Sequence, residues 1–500
     1  MYEFYVKPII LLVIFAWLLY KYSIGNYKYW QKKRVQYVKP IPPFGNLLPI
    51  LTSQLTLGAL LAKYYNQFKC SLFGIYVLNK PVLVVRDPTL IKRILVKDFR
   101  YFHNRSVMSD EECDALVSNM LFFSKSPEWK YIRNKMTPIF TTGKMKNMFN
   151  LVQNVGSDMV TYLNKHDENS YVDAKEVCSK YSTDVISSCA FGINAHCFKS
   201  ENSPFYMITT KMFGFNWQSG FNQSSYFLAH GLVKLFKMPF FDRKISNFLR
   251  QVFWDTLRER ERTNIARNDV IDAMKDFKDN PHLDEGYKFE GDRILAQAMQ
   301  FFSAGFETVG AAISFTLYEL SLYPEIQRKL RLEIKNAVAG CSKIDYSVIM
   351  CMRYLHMVVQ ETLRKYPSLP FLERECAESY IIPEENLVLE PKTPVYIPLL
   401  GLHYDPEYFP DPEKYDPERF TNEDVCNSFQ YLPFGDGPRG CIGNRFALMV
   451  TKIALVSLLT EFEVQPAPTT PAKIHFSPYS LFLCSSVGVP LKFKRDRMVH

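Results

Sequence analysis

The chain has 500 residues, 47% of them apolar and 15% aromatic, with 39 Phe and 30 Tyr, which supports a large core with room for an apolar cavity. Sixty Lys and Arg against 51 Asp and Glu give a formal net charge of +9, enough to favour an acidic partner or an anionic surface, but no nucleic-acid motif accompanies it. Nine scattered His argue against zinc fingers, and eleven dispersed Cys without a CxxC pair argue against a disulfide scaffold.

Residues 8–20, PIILLVIFAWLLY, are the centre of an apolar run from Tyr2 to Ile24 that is broken by Glu3 and Lys7. The run predicts one N-terminal transmembrane helix. Lys28, Lys32, Lys33 and Arg34 follow it, which puts the rest of the chain on the cytoplasmic face. A cleaved signal peptide would carry its charge before the apolar core and a small-residue site after it. Pro40, Pro42, Pro43 and Gly45 then predict a stiff linker.

Residues 72–85 read as a hairpin around Asn79-Lys80-Pro81. Asp87-Pro88 opens a helix, and a second starts near Pro127. Helical patterns cover about 145–165, 245–277 and 290–320. Pro324 opens another, with Ile326, Leu330 and Ile334 on one face, and 351–365 is one more. Residues 387–389 and 394–398 suggest strands around a Glu-Pro-Lys turn, and 403–420 an irregular meander. A helix follows Cys441, and residues 480–494 suggest a closing hairpin. The expected fold class is mainly α with minor β sheets.

The segment PFGDGPRGCIGNRFA holds one cysteine among Gly435, Gly437, Gly440 and Gly443. Glycines allow tight turns and close approach by a flat ligand. Cys441 stands just before a helix, whose positive end favours a thiolate. By itself the segment also fits a buried cysteine beside a turn. Residues 361–364, Glu-Thr-Leu-Arg, put Glu361 and Arg364 on one helix face, a pair common on surfaces. In Ala304-Gly305-Phe306-Glu307-Thr308, Gly305 is costly within a helix by about 1 kcal/mol. Thr308 can simply bond its own backbone.

Phe434, Gly437, Arg439, Cys441 and Gly443 match the pattern FxxGxRxCxG, and further motifs follow in the expected order over nearly the whole chain. The chain resembles the cytochrome P-450 haem-thiolate monooxygenases, most closely the insect microsomal xenobiotic-metabolising type. The resemblance implies a membrane anchor over 1–25, a basic and proline-rich linker over 26–46, and a single haem-binding catalytic domain over 47–500. It implies haem b with Cys441 as the axial ligand to iron. Phe434 would pack against the haem and the amide near Gly443 would temper the sulfur charge. Arg439, Arg374, Trp129 and Arg133 would reach the propionates, the last two as a WxxxR helix. Glu361, Arg364 and Arg419 would form a structural triad. Glu307 and Thr308 would be the catalytic acid–alcohol pair, delivering protons and holding water. The family usually has Asn where this chain has Gly440.

The resemblance also implies oxidation of lipophilic small molecules, with plant toxins or insecticides favoured over an endogenous hormone or fatty acid. A haem-thiolate isomerase or dehydratase is the alternative that the Glu307-Thr308 pair disfavours. Electrons from NADPH would come through a separate NADPH-cytochrome P-450 reductase, with cytochrome b5 as a second candidate partner. Lys130, Lys135, Lys144 and Lys146 suggest the docking face. The implied location is the endoplasmic reticulum membrane, in contact with the lipid bilayer. The substrate pocket is expected to draw on Phe122, Phe123, Phe213, Phe215, Phe221, Ala304, Phe371 and Phe482, because apolar cavities suit apolar ligands.

Overall fold

The computed structural model describes residues 10, 14, 17, 18, 20–200, 203–213, 217–267, 269–279, 287–339 and 344–496. Seven helices position the site. They are α1 (Glu111–Ser118), α2 (Glu128–Met136), α3 (Thr142–Leu163), α4 (Ala174–Phe191), α5 (Asp292–Leu322), α6 (Arg353–Lys365) and α7 (Asn444–Glu461). The long helix α5 is buried along most of its length and packs against α4 and α7, so it forms the axis of the core. A Cβ on Gly305 of α5 would lie 2.5 Å from Ile186 Cδ1 of α4. The glycine therefore sets how closely these two helices approach, which offsets its poor helix propensity.

The strands are the minor part. β1 (Leu72–Val77), β2 (Lys80–Val85), β3 (Leu372–Glu375) and β4 (Pro394–Ile397) form one sheet in the order β1-β2-β4-β3. β1 and β2 are the expected hairpin, but its turn is Leu78-Asn79, with Leu78 at φ +54°. Pro81 lies within β2 opposite Tyr76, and the parallel partner β4 reaches only Leu83 and Val84, so no ladder bond from Pro81 is required there. The strands flanking the Glu-Pro-Lys turn do not pair with each other: Leu387–Leu389 pairs with Tyr380–Ile382, and β4 pairs with β3 and β2. The closing hairpin is also absent. Pro490–Arg495 lies between Phe462–Pro466 and Val172–Asp173. The 245–277 pattern divides into Arg243–Thr263 and Val270–Asp279, separated after Asn264 in a left-handed conformation.

Residues 26–46 lie against β1. Trp30 is fully buried with its Nε1 donating to Ile75 O at 3.1 Å, and Val38 N donates to Gly74 O. The N-terminal transmembrane helix is corrected. Among the described residues no helix is long and apolar enough to cross a membrane. Of the expected span, residues 1–9, 11–13, 15, 16 and 19 lie outside the described residues. In the sequence, the run without a charge between Lys7 and Lys21 has 13 residues, fewer than the roughly 20 that a spanning helix needs. The endoplasmic-reticulum location and the bilayer contact rested on that helix and lose their support with it.

Candidate functional site

The loop before α7 is built by its own backbone. Cys441 N–H donates to Phe434 O at 2.8 Å, Gly435 N–H to Leu432 O at 3.0 Å and Gly440 N–H to Gly437 O at 2.9 Å. Gly437 has φ +71°, and a Cβ there would lie 2.0 Å from Leu95 O, so only glycine fits. A Cβ at Gly440 would meet Gly437 O at 3.1 Å, tight but with no left-handed strain. From α2, Arg133 Nη1 donates to Gly440 O at 2.8 Å and ties the loop from the side.

Cys441 is walled in by protein, and the surface that it keeps faces an internal cavity of about 300 Å³. Burial pushes its thiol up, while the Gly443 N–H and the charges of Arg133 and Arg105 act the other way. Five of the expected pocket residues line this cavity: Phe122, Phe123, Phe213, Ala304 and Phe482. Phe213 packs edge-to-face on Phe482 at 5.3 Å, and Phe122 does the same on Phe123 at 5.1 Å. Trp129, Arg133, Thr308, Phe434, Arg439 and Gly443 line it as well.

Four of the expected site residues lie outside the cavity lining. In the helix Trp217–Leu228, Phe221 is 42% exposed, while Phe227, about 120° round the same helix, lines the cavity. Phe371 is buried one layer back, packed on Phe227 at 5.9 Å and Tyr396 at 5.8 Å. Glu307 does not line the cavity. One residue turns an α-helix by about 100°, so Glu307 and Thr308 diverge. Glu307 is buried toward the Cys484 thiol and the Lys175 charge, and burial raises its carboxyl. Arg374 is also outside the cavity lining, with its Nη1 donating to Glu373 O at 2.8 Å. Phe215 lies outside the described residues. Thr308 Oγ1 donates to Ala304 O at 2.6 Å, the local bond that its position allows.

Behind the loop, Arg364 and Glu361 are fully buried and joined by two bonds, Nε to Oε2 at 2.7 Å and Nη2 to Oε1 at 2.9 Å. Asp416 N–H donates to Glu361 Oε1, and Arg419 Nε lies 3.5 Å from the same oxygen. The three charges lock α6 to the meander.

A sequence reading alone misses Arg105. It lines the cavity, sits 4.1 Å over the Phe122 ring and lies 3.6 Å from Glu373 Oε1. Its Nε and Nη1, and Arg374 Nε, are buried and make no hydrogen bond to any described residue. Arg439 stacks on Trp129 at 4.0 Å and donates to His103 O and Ser124 O. Burial, then the neighbouring guanidiniums, lower Arg439 to about 8; burial, then Arg105, lower Arg374 to about 9. Among the described residues the Arg105–Glu373 contact is the one ion pair that any of Arg105, Arg133, Arg374 and Arg439 makes. This wall is short of negative charge. A group carrying two carboxylates would complete it. Cavity, thiol and cationic wall together fit haem.

Comparison with known proteins gives the same family. The family profile described as Cytochrome P450 matches residues 36–493. Cytochrome P450 6k1 of Blattella germanica is 41% identical over 508 residues, covering 97% of both chains. Cytochrome P450 6j1 of the same species is 37% identical, covering 95% of both, and probable cytochrome P450 6g2 of Drosophila melanogaster is 35% identical, covering 95% of both. A cysteine loop at the floor of an apolar cavity, a wall in need of carboxylates and full-length kinship lead to one conclusion: the chain belongs to the cytochrome P450 family of haem-thiolate oxidoreductases.

Proposed function

We propose that the chain inserts one oxygen atom of O2 into lipophilic ring compounds, plant toxins or insecticides among them. The observation that carries this reading is the shared cavity: Cys441, Thr308 and a largely phenylalanine wall all border it. Aromatic faces and edges accept apolar rings of varied shape.

When bound, the haem supplies the redox chemistry by which one atom of O2 enters the substrate and the other leaves as water. The chain's own residues set the conditions. The Gly443 N–H, Arg133 and Arg105 favour the thiolate form of Cys441. Arg105 and Arg439 would hold the carboxylates, with Arg374 adding charge from behind. Thr308 Oγ1, now bonded to Ala304 O, can hold a water or pass a proton at that atom. Glu307 would act from the far side of α5, after reorientation or through water. The apolar wall excludes bulk water from the reacting end. The family uses separate electron donors, and exposed Lys130, Lys144 and Lys146 support docking of an acidic reductase beside α2 and α3.

The test is turnover of a lipophilic ring compound under 18O2 with NADPH and a competent P450 reductase. One labelled oxygen in the product is expected. Product formed without NADPH and without label would assign the chain to rearrangement chemistry instead. In parallel, the reduced carbon monoxide difference spectrum should show a strongly red-shifted Soret band that Cys441→Ala lacks.

A further inference from the structure

Against the apolar wall stand two carboxamides. Gln297 and Gln300 both line the cavity and lie three residues apart on α5, which puts them on neighbouring positions of one face. Their orientations are fixed by their partners. Phe122 N–H donates to Gln300 Oε1 at 3.2 Å, so the oxygen must be there and the NH2 group is turned away from that bond. The NH2 group donates to no described residue. Gln297 is held the other way round. Its Nε2 donates to Asn119 O at 2.7 Å and Arg293 O at 3.1 Å, so the nitrogen must be there. Its Oε1 is buried and has no hydrogen-bond partner among the described residues. Flipping either amide would set a donor against a donor or an acceptor against an acceptor. Gln297 itself is fully buried, so its oxygen is out of reach of a molecule in the cavity and Gln300 alone presents a free amide group there.

We propose that Gln300 is the specificity-determining polar end of the cavity, and that it selects lipophilic molecules carrying a hydroxyl group remote from the carbon that is oxidised. A hydroxyl oxygen accepts from Gln300 Nε2. A hydrocarbon of the same shape offers no such acceptor. Sites with buried polar groups reject an analogue that leaves those groups unpaired. Helical rise sets the scale: Gln300 is about 6 Å along α5 from Ala304 and about 12 Å from Thr308. That span suits a substrate about two rings long. The proposal rests on the reading of this cavity as the substrate site.

The test uses the purified haem-loaded protein and two probes, biphenyl and 4-hydroxybiphenyl, with Kd measured by equilibrium dialysis. The quantity read is the ratio of the two Kd values. Gln300→Met keeps side-chain length and removes the amide. It should leave biphenyl binding near the parent value and shift the ratio against the hydroxylated probe by roughly tenfold. A ratio unchanged in Gln300→Met overturns the proposal. Ala304→Phe tests the underlying reading separately, because it fills the cavity. Loss of both probes in that variant, with the ratio unchanged in Gln300→Met, overturns the hydroxyl selection alone. Undiminished binding of both probes to Ala304→Phe overturns the cavity reading and the proposal together.

Discussion

Arg364 and His403 hold each other twice. Arg364 Nη1 donates to His403 O at 2.9 Å, and the His403 ring returns a bond from Nδ1 to Arg364 O at 3.1 Å. The tautomer follows from the third contact, because His403 Nε2 accepts from Leu432 N–H at 3.1 Å and Nδ1 must then carry the proton. Through one imidazole the buried Glu361–Arg364 pair is joined to the strand of backbone that leads into the cysteine loop.

His403→Phe removes that joint while keeping an aromatic ring. It leaves Leu432 N–H and Arg364 O without partners, each costing about 1–3 kcal/mol. The expected result is a lower denaturant midpoint together with faster loss of haem. An unchanged midpoint would show that water or a shifted backbone replaces both bonds.

The same residue sets a pH dependence. Burial first, and the Arg364 charge second, hold His403 down to about 3. In the unfolded chain a histidine titrates near about 6.5. Between those values the unfolded state binds the extra proton and the folded state does not, so this contribution is full above about pH 6.5 and is lost as pH falls toward 3. The difference in unfolding free energy between the parent and His403→Gln should therefore shrink on going from pH 7 to pH 5. A difference independent of pH over that range would contradict the assignment.

Gly437→Ala puts a methyl group 2.0 Å from Leu95 O at a residue with φ +71°. Steric overlap and left-handed strain act together, with about 1–3 kcal/mol expected from the strain alone. The purified variant should retain far less haem than the parent at equal far-ultraviolet helicity, because the fault lies in one loop.

Arg105→Gln separates the cationic wall from the fold. In the haem-free protein the loss of the Glu373 contact is offset by relief from Arg374 and Arg439, so unfolding should change little. In the loaded protein a carboxylate partner is lost, and haem transfer to apomyoglobin should quicken by roughly tenfold. Equal destabilisation of both forms would make Arg105 a packing residue only.

Reversal of Lys130 and Lys144 to Glu should slow reductase-supported turnover, most at low ionic strength, while oxidation driven by added peroxide is unchanged. A salt-independent effect would place the docking face elsewhere.

The parts of the site legible in the sequence are those that lie close together along the chain. The glycines around Cys441 belong to one loop, and Ala304 and Thr308 repeat at helical spacing, so local geometry alone brings them to the cavity. Helical phase separates the less successful readings: Phe221 and Phe227 lie about 120° apart round one helix, and Glu307 turns away from Thr308. Arg105 and Gln300 carried no local signal. Arg105 stands out only when three distant guanidiniums gather around it, and Gln300 only when the Phe122 backbone fixes its oxygen. Strand partners were missed for the same reason. β4 bonds to strands far away in sequence, and alternation cannot name a partner. The first apolar run has the composition of a membrane helix, but Lys7 and Lys21 fall within it and most of it lies outside the described residues.

The pairing of Pro490–Arg495 with Phe462–Pro466 and Val172–Asp173 has a consequence for biosynthesis. Val172 leaves the ribosome 319 residues before its partner Leu491. Leu481 and Phe482, which border the cavity, arrive on the same late segment. During translation the cysteine loop is therefore complete before the cavity above it has its last wall, and a nascent chain at that stage exposes apolar surface. Haem added to stalled chains ending after α7 and to chains extending past Arg495 would show whether the cofactor is captured through the unfinished side or only after Pro490–Arg495 closes it.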